Sequence, residues 1–170
     1  MKFKANYVLD GTISQVWEAR EKRFENPEQF PELQKHEEIE RKEEGNRIHS
    51  KRIVELSASI PKALQKVLSP EMLNCTDESI YDMDTNVHEW TITPNFKTKV
   101  FTCTGYSKYN EIEKDGETKT KREVVLEVKV DIPIVGKMAE QVILDAYKKN
   151  LEKDNKTMSR MLKIMKEEAK

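Results

Sequence analysis

The C-terminal stretch from Ile134 to Lys170 constrains the fold most, because nothing after Gly136 interrupts a helix. It contains no Pro and no further Gly, and a helix of this length would extend roughly 50 Å, far enough to cross a small domain. Its apolar residues recur every three or four positions, as in a helix with one face in the core. These are Met138, Val142, Ile143, Leu151, Met158, Met161, Leu162 and Met165.

One stripe along this predicted helix changes character in its middle. Its members follow one another by three or four residues and so share a face: Ala139, Ile143, Ala146, Asn150, Lys153, Thr157 and Met161. A helix that only filled a core would not place an amide and an ammonium at its centre. We interpret Ala139, Ile143, Ala146 and Thr157 as one wall of a cavity, and Asn150 and Lys153 as its polar contacts. The alternative for Lys153, a surface lysine with its stem along the helix, stays open.

The rest of the chain predicts a sheet that this helix can cover. Phe3, Ala5, Tyr7 and Leu9 alternate with polar neighbours as in a half-buried strand, and Thr12 can cap a helix that runs to about Phe24. Turn residues at 44–46, 84–86 and 114–116 then join six strand-like arms into hairpins. The arms are Leu33 to Glu44, Arg47 to Leu56, Met72 to Met83, Val87 to Thr93, Lys97 to Ile112 and Thr118 to Ile132.

A short amphipathic segment interrupts these arms. Between Ser59 and Leu68, Ile60, Leu64, Val67 and Leu68 have helical spacing, with Pro61 at the start. We therefore predict an α+β fold in which a curved antiparallel sheet of about seven strands wraps around the long C-terminal helix, with a short helix inserted.

Length, charge and composition exclude several classes of protein. A chain of 170 residues is expected to form a single domain, residues 1–170, with a real core. Thirty basic residues balance 31 acidic ones, which argues against a nucleic-acid binder. The two cysteines are too few for a disulfide scaffold, and the three histidines lack metal-ligand spacing. We therefore expect no metal, no cofactor and no nucleic acid. No apolar run reaches the length of a signal peptide or a membrane span, so we expect a soluble, cytoplasmic protein.

A series of short motifs resembles the helix-grip, START-like (SRPBCC) superfamily, and within it the PRELI (slowmo-like) lipid-transfer family. Lys22 to Pro27 looks like that family's Arg-Tyr-Pro-Asn-Pro stretch, and Gly45 to Arg52 is similar to its Gly-x-Leu-His-Ser-x-Arg strand. Ile60 to Leu64 resembles its Leu-Pro lid, and Glu78 to Asp82 its Glu-x-Ser-x-x-Asp strand. Asn150, Lys153 and Met158 keep its spacing of Asn, Lys and Met. The pieces are collinear over nearly the whole chain.

The resemblance implies binding, and transfer, of a phospholipid or another hydrophobic ligand in a cavity between sheet and C-terminal helix. Carried over to this chain, it makes Arg23, Asn150 and Lys153 the head-group contacts. It makes Ile60, Pro61, Leu64, Val67 and Leu68 a mobile lid that touches a membrane surface transiently. It also implies a small protein partner, and the mitochondrial intermembrane space as the alternative compartment in a eukaryote.

Two other functions remain open at this stage. One is an enzyme on the same fold, such as a cyclase or hydratase of a hydrophobic substrate. It needs an acid–base pair in the cavity, and we identify no catalytic residue; His49 and Glu55 share a strand face but can both face solvent. The other is an interaction module without a ligand, which a filled interior would favour.

Overall fold

The computed structural model describes residues 1–33, 35–96 and 100–170. Its strands are β1 (Lys2–Leu9), β2 (Glu37–Glu44), β3 (Arg47–Glu55), β4 (Asn74–Asp82), β5 (Val87–Pro94), β6 (Phe101–Lys114) and β7 (Glu117–Val130), and its α-helices are α1 (Ile13–Phe24) and α2 (Gly136–Glu168). All seven strands form one antiparallel sheet in the order β1-β7-β6-β5-β4-β3-β2. The predicted fold class is confirmed. The first residues of the arm predicted from Lys97, 97–99, lie outside the described residues.

The local signals that set these elements are visible in the geometry. Thr12 and Gln15 cap α1 reciprocally: Gln15 N donates to Thr12 Oγ1 at 3.2 Å and Thr12 N donates to Gln15 Oε1 at 2.9 Å. The tight turns after β2 and β6 contain Gly45 and Gly116, whose φ angles are 57° and 77°. Glycine adopts this backbone without the steric cost of a Cβ, so Gly45 and Gly116 favour tight turns that fix the hairpin register.

Helix α2 crosses the sheet and packs against two separate hydrophobic clusters. Its first half, from Ala139 to Leu151, joins the larger cluster, which includes inward-facing residues of β3 to β7. Its second half contributes Met158, Met161 and Leu162 to a smaller cluster with α1. Charged and amide side chains lie between the two clusters, from Asn150 to Thr157. The polar middle of the predicted stripe therefore marks a polar layer inside the protein.

The segment 60–68 is less helical than predicted. It forms one 3₁₀ turn, Lys62–Leu64, since Pro61 and Pro70 bracket a stretch too short to repay the cost of starting a longer helix. Leu64 and Leu68 are buried in the larger cluster. The segment thus covers apolar core at one end of the sheet.

No helix among the described residues is both long enough and apolar enough to cross a bilayer.

Candidate functional site

An ionic network around Asp154 occupies the polar layer. Its carboxylate contacts Arg23 on α1 at 2.5 Å and Arg122 on β7 at 2.8 Å, with Arg20 at 3.8 Å. Burial alone would raise the pKa of Asp154, but the three guanidinium groups outweigh burial and hold that pKa well below its usual value. Asp154 is therefore a permanent anion that joins α1, α2 and β7.

Arg23 and Arg122 are almost fully committed to this network. Arg23, 2% exposed, also donates to Thr157 Oγ1 at 2.6 Å and to the carbonyl oxygens of Arg20 and Asp154. Arg122 donates to Ser107 Oγ at 3.0 Å and to Asn155 Oδ1 at 2.9 Å. All three nitrogens of Arg23 have partners, so it shapes the site more than it offers free contacts to a ligand. Arg122 uses Nε and Nη1 in the same way, whereas its Nη2 has no hydrogen bond among the described residues.

A cavity of about 70 Å³ lies beside this network, between the sheet and α2. Its walls mix apolar and charged side chains. The apolar ones include Phe24, Leu33, Val54, Trp90, Ile92, Leu126 and Leu151; the charged ones are Arg20, Arg23, Arg52, Arg122, Lys153, Asp77 and Asp154. Among the described lining residues, five cations thus face two carboxylates. A cation excess inside an apolar wall favours an anionic guest.

Besides Arg20, whose nearest carboxylate is that of Asp154 at 3.8 Å, two of these cations lack a close carboxylate. Arg52, which is 8% exposed, lies over the Phe24 ring and reaches Glu38 and Glu21 only at 3.8 and 4.0 Å. Burial, and then the nearby Arg20, lowers its pKa to about 10. Lys153 forms no salt bridge within the described part of the chain. Its Nζ lies 3.3 Å from His36 Nε2. Arg52 and Lys153 are therefore the cations most available to an anion.

His36 completes this polar corner as a neutral imidazole. Burial and the adjacent Lys153 ammonium lower its pKa to about 4. At neutral pH its Nε2 can therefore accept a hydrogen bond from Lys153. A neutral imidazole is a weaker partner for the Lys153 ammonium than a carboxylate would be.

Three further residues lining the cavity have polar atoms that are buried without a hydrogen-bond partner among the described residues. They are Asp77 Oδ1, His88 Nδ1 and Tyr147 Oη. Burial raises the pKa of Asp77 to about 6 even though Arg20 and Arg52 act in the opposite direction. Burial also lowers the pKa of His88 well below its usual value, so this imidazole is neutral.

The sequence-predicted site residues divide into two groups. Arg23, Asn150 and Lys153 do line the cavity. Of the predicted wall residues, Ala139, Ile143 and Ala146 pack in the larger cluster, and Thr157 accepts from Arg23. In their place Tyr147, Leu151 and Asp154 line the cavity from α2. On α2 the lining of this cavity therefore combines Asn150 and Lys153 of the predicted stripe with neighbours one residue further along the helix.

The remaining candidates lie elsewhere. The segment 60–68 does not contribute to the cavity lining that the structure describes, so the predicted lid covers the apolar cluster next to it. His49 lies in a shallow outer groove with Glu40 and Lys51, and Glu55 is exposed and paired with Lys35 at 3.0 Å. These two residues of the enzyme hypothesis are outside the cavity.

Sequence reasoning missed Arg122, Asp77, His88 and Arg52, although a signal was present. Arg122 shares the inward parity of Val124, Leu126 and Val128 on β7. In the same way Asp77 lies on the same face of β4 as the buried Cys75 and Tyr81. A charged residue at an inward position of an alternating strand marks an internal polar site.

A seven-stranded antiparallel sheet that wraps around a long C-terminal helix, with a polar-lined cavity between them, is the helix-grip fold. Residues 12–162 match the model of a family described as a protein of unknown function, DUF2505, and the chain belongs to that family. No curated protein matches the chain.

Solved structures share this fold at low sequence identity. TTHA0849 from Thermus thermophilus has a TM-score of 0.59 at 15% identity, covering 97% of this chain and 99% of that one. The Zhui aromatase/cyclase from Streptomyces sp. R1128 has a TM-score of 0.60 at 13% identity, covering 96% and 93%. Ara h 8.0201 has a TM-score of 0.53 at 16% identity, covering 96% of this chain and 98% of that one. These likenesses establish the fold. They show the helix-grip fold that the superfamily resemblance predicted, and the narrower PRELI resemblance is not shown.

Proposed function

We propose that the protein binds an amphipathic ligand with an anionic group, such as a phospholipid or a fatty acid, between the sheet and α2. The observation that carries the proposal is the pair of under-compensated cations, Arg52 and Lys153, on an apolar-walled cavity. Arg52 is buried with its nearest carboxylate at 3.8 Å, and the half-buried Lys153 has no salt bridge among the described residues. Such poorly compensated charge costs the folded protein free energy. A carboxylate or phosphate in the cavity would remove that cost through charge-assisted hydrogen bonds.

The size of the cavity says which part of the ligand enters it. Pockets for drug-sized ligands measure roughly 300–1,000 Å³, and this cavity measures about 70 Å³. It has room for an acidic group and a few adjoining atoms. An acyl chain would have to separate α2 from the sheet side chains of the larger hydrophobic cluster. Each Å² of apolar surface that the chain buries there contributes roughly 25 cal/mol.

A matched pair of lipids tests this proposal. Oleate and oleyl alcohol have the same chain and differ in head-group charge. We expect titration calorimetry to show oleate binding, and Lys153→Met to weaken it about tenfold or more, the loss expected for one charge-assisted hydrogen bond. Lys149→Met, at an exposed position on the same helix, is the control and should bind like the unmodified protein. Equal affinity for oleate and oleyl alcohol would contradict the proposal.

The segment 60–68 is the proposed entrance. Lys62 and Lys66 are exposed, whereas Leu64 and Leu68 next to them are buried in the larger cluster. If the segment opens on an anionic membrane, each of these lysines contributes up to about 1 kcal/mol of attraction. We expect the double variant Lys62→Glu/Lys66→Glu to slow transfer of a fluorescent fatty acid from anionic vesicles at least fivefold, with transfer from zwitterionic vesicles unchanged. The same rate from both vesicle types would exclude this entrance.

A small protein partner, as in the PRELI family, belongs to this proposal too, and co-purification with a tagged chain tests it.

An enzyme is the second candidate, and one observation favours it. Asp77, with a pKa of about 6, and the neutral His88 border the same cavity with unpartnered polar atoms in the described chain. Such groups suit proton transfer during a cyclisation or a hydration. Native mass spectrometry separates the two candidates. A carrier returns the supplied ligand unchanged, whereas a hydratase or dehydrating cyclase returns it with one water gained or lost.

A further inference from the structure

The three unpartnered polar atoms around the cavity specify more about the ligand than its charge. Asp77 Oδ1, His88 Nδ1 and Tyr147 Oη are buried, and none has a partner in the described part of the molecule. His88 is 5% exposed and Tyr147 4%. Leaving such a group unpaired costs the folded protein the full desolvation penalty of that group. Three of them on one small cavity are therefore typical of a site built for a guest.

The strand register places two of these atoms on one sheet face. Asp77 on β4 pairs with Ile92, and His88 on β5 pairs with Tyr81, so the two residues are four positions apart along the paired strands. That separation is roughly 13 Å at about 3.3 Å per residue. Trp90 and Ile92 line the sheet wall on the same inward face, and Tyr147 faces it from α2. The polar atoms thus surround an apolar centre.

Asp77 is the most demanding of the three, because an ionised carboxylate only accepts hydrogen bonds. The neutral His88 and Tyr147 can each donate or accept. A ligand that satisfies Asp77 must therefore supply an O–H or N–H group. Arg52 pairs directly with Asp77 across β3 and β4. If the acidic group of a ligand binds Arg52, the ligand atoms next to that acidic group therefore lie near Asp77.

We propose that the natural ligand carries a hydroxyl or another hydrogen-bond donor within a few atoms of its anionic group, and that Asp77 selects for it. The chemical class is a hydroxylated amphipathic acid. This inference rests on the proposed function, since it concerns the same cavity. A plain acyl acid has no donor to offer and would leave Asp77 Oδ1 without a hydrogen bond. A site with a buried polar group discriminates strongly against an analogue that lacks the matching partner.

Two acids of equal chain length test the inference. We expect 3-hydroxypalmitate to bind about tenfold more tightly than palmitate, the difference that corresponds to one satisfied buried acceptor. In Asp77→Leu, which removes the acceptor and keeps an apolar wall, the two acids should bind alike. Glu78→Leu is the matched control, because Glu78 is the next residue on β4 and is exposed; it should keep the preference.

The outcomes separate this inference from the proposed function. Equal binding of both acids to the unmodified protein overturns the inference and leaves the proposed function standing, because water then satisfies Asp77 in either complex. A preference that survives in Asp77→Leu also overturns it, because another group must then read the hydroxyl. If neither acid binds, both proposals fail. Circular dichroism of Asp77→Leu shows whether its fold is intact, and Tyr147→Phe, which removes an unpartnered hydroxyl, provides a second variant that should reduce the preference.

Discussion

The carboxyl group of Asp77 illustrates how one residue can serve a site at the expense of the fold. It lies at an inward position of β4, and burial raises its pKa to about 6. The folded protein therefore binds a proton at Asp77 more tightly than the unfolded chain does. The contribution of this group to the free energy of unfolding is fully present at acidic pH, below its unfolded pKa, and is lost as the pH rises through about 6.

Replacing Asp77 by Asn exposes this cost. We expect Asp77→Asn to be more stable than the unmodified protein by on the order of 1–3 kcal/mol at pH 7.5, and the difference to vanish near pH 4. Urea unfolding across this range measures it. A difference independent of pH would show that the carboxyl is ionised with equal ease in both states.

Single residues also show what the sequence can and cannot reveal. The helical spacing of Asn150 and Lys153 predicted a polar contact on an apolar stripe, and both residues line the cavity. The predicted wall residues Ala139, Ile143, Ala146 and Thr157 do not line this cavity, which Tyr147, Leu151 and Asp154 border from the neighbouring face of α2. Helical spacing predicts which residues share a face, and the packing of the helix on the sheet decides which part of that face meets the cavity. The partner of Arg23 could not be predicted, since Asp154 is distant in sequence and their contact depends on how α1 crosses α2.

At the scale of elements, the Asp154 network joins three pieces of the fold, α1, α2 and β7. Arg23 comes from α1, Arg122 from β7 and Asp154 from α2. Removing one partner of a buried ion pair leaves a charge without compensation, which costs about 3–5 kcal/mol. The network therefore fixes α1 and α2 on the cavity side of the sheet.

A double-mutant cycle measures this coupling. We expect Arg23→Met and Asp154→Asn each to reduce the free energy of unfolding by about 3 kcal/mol. The double variant should lose at least about 1.5 kcal/mol less than the sum of the two. The exposed pair Lys42 and Glu44, 2.7 Å apart, is the control and should show no coupling beyond error. Additive losses at Arg23 and Asp154 would contradict a direct buried pair.

The elements themselves follow from local chemistry to a large extent. The capping residues at Thr12 and Gln15, the turn glycines Gly45 and Gly116 and the alternation along β7 predict α1, two hairpins and the sheet. The segment 60–68 was predicted as a helix and forms a 3₁₀ turn. Pro61 and Pro70 limit the length of any helix here, whereas the burial of Leu64 and Leu68 follows from their apolar spacing.

Considered as a whole, the molecule keeps an uneven interior: two apolar clusters enclose a layer of charges with a small cavity at its edge. A filled interior would favour a ligand-free module, and this cavity favours a guest. The cation excess, the unpartnered polar atoms and the apolar cluster beside them all support one amphipathic acid held between the sheet and α2.

Bromine quenching of Trp90 tests this central claim most directly. Trp90 lines the cavity, and the second tryptophan, Trp17, is replaced in Trp17→Phe so that Trp90 reports alone. We predict that dibromostearate quenches Trp90 fluorescence saturably and that the effect is much weaker for its uncharged methyl ester and in Lys153→Met. No saturable quenching by dibromostearate, in a Trp17→Phe protein shown to be folded, would contradict the account.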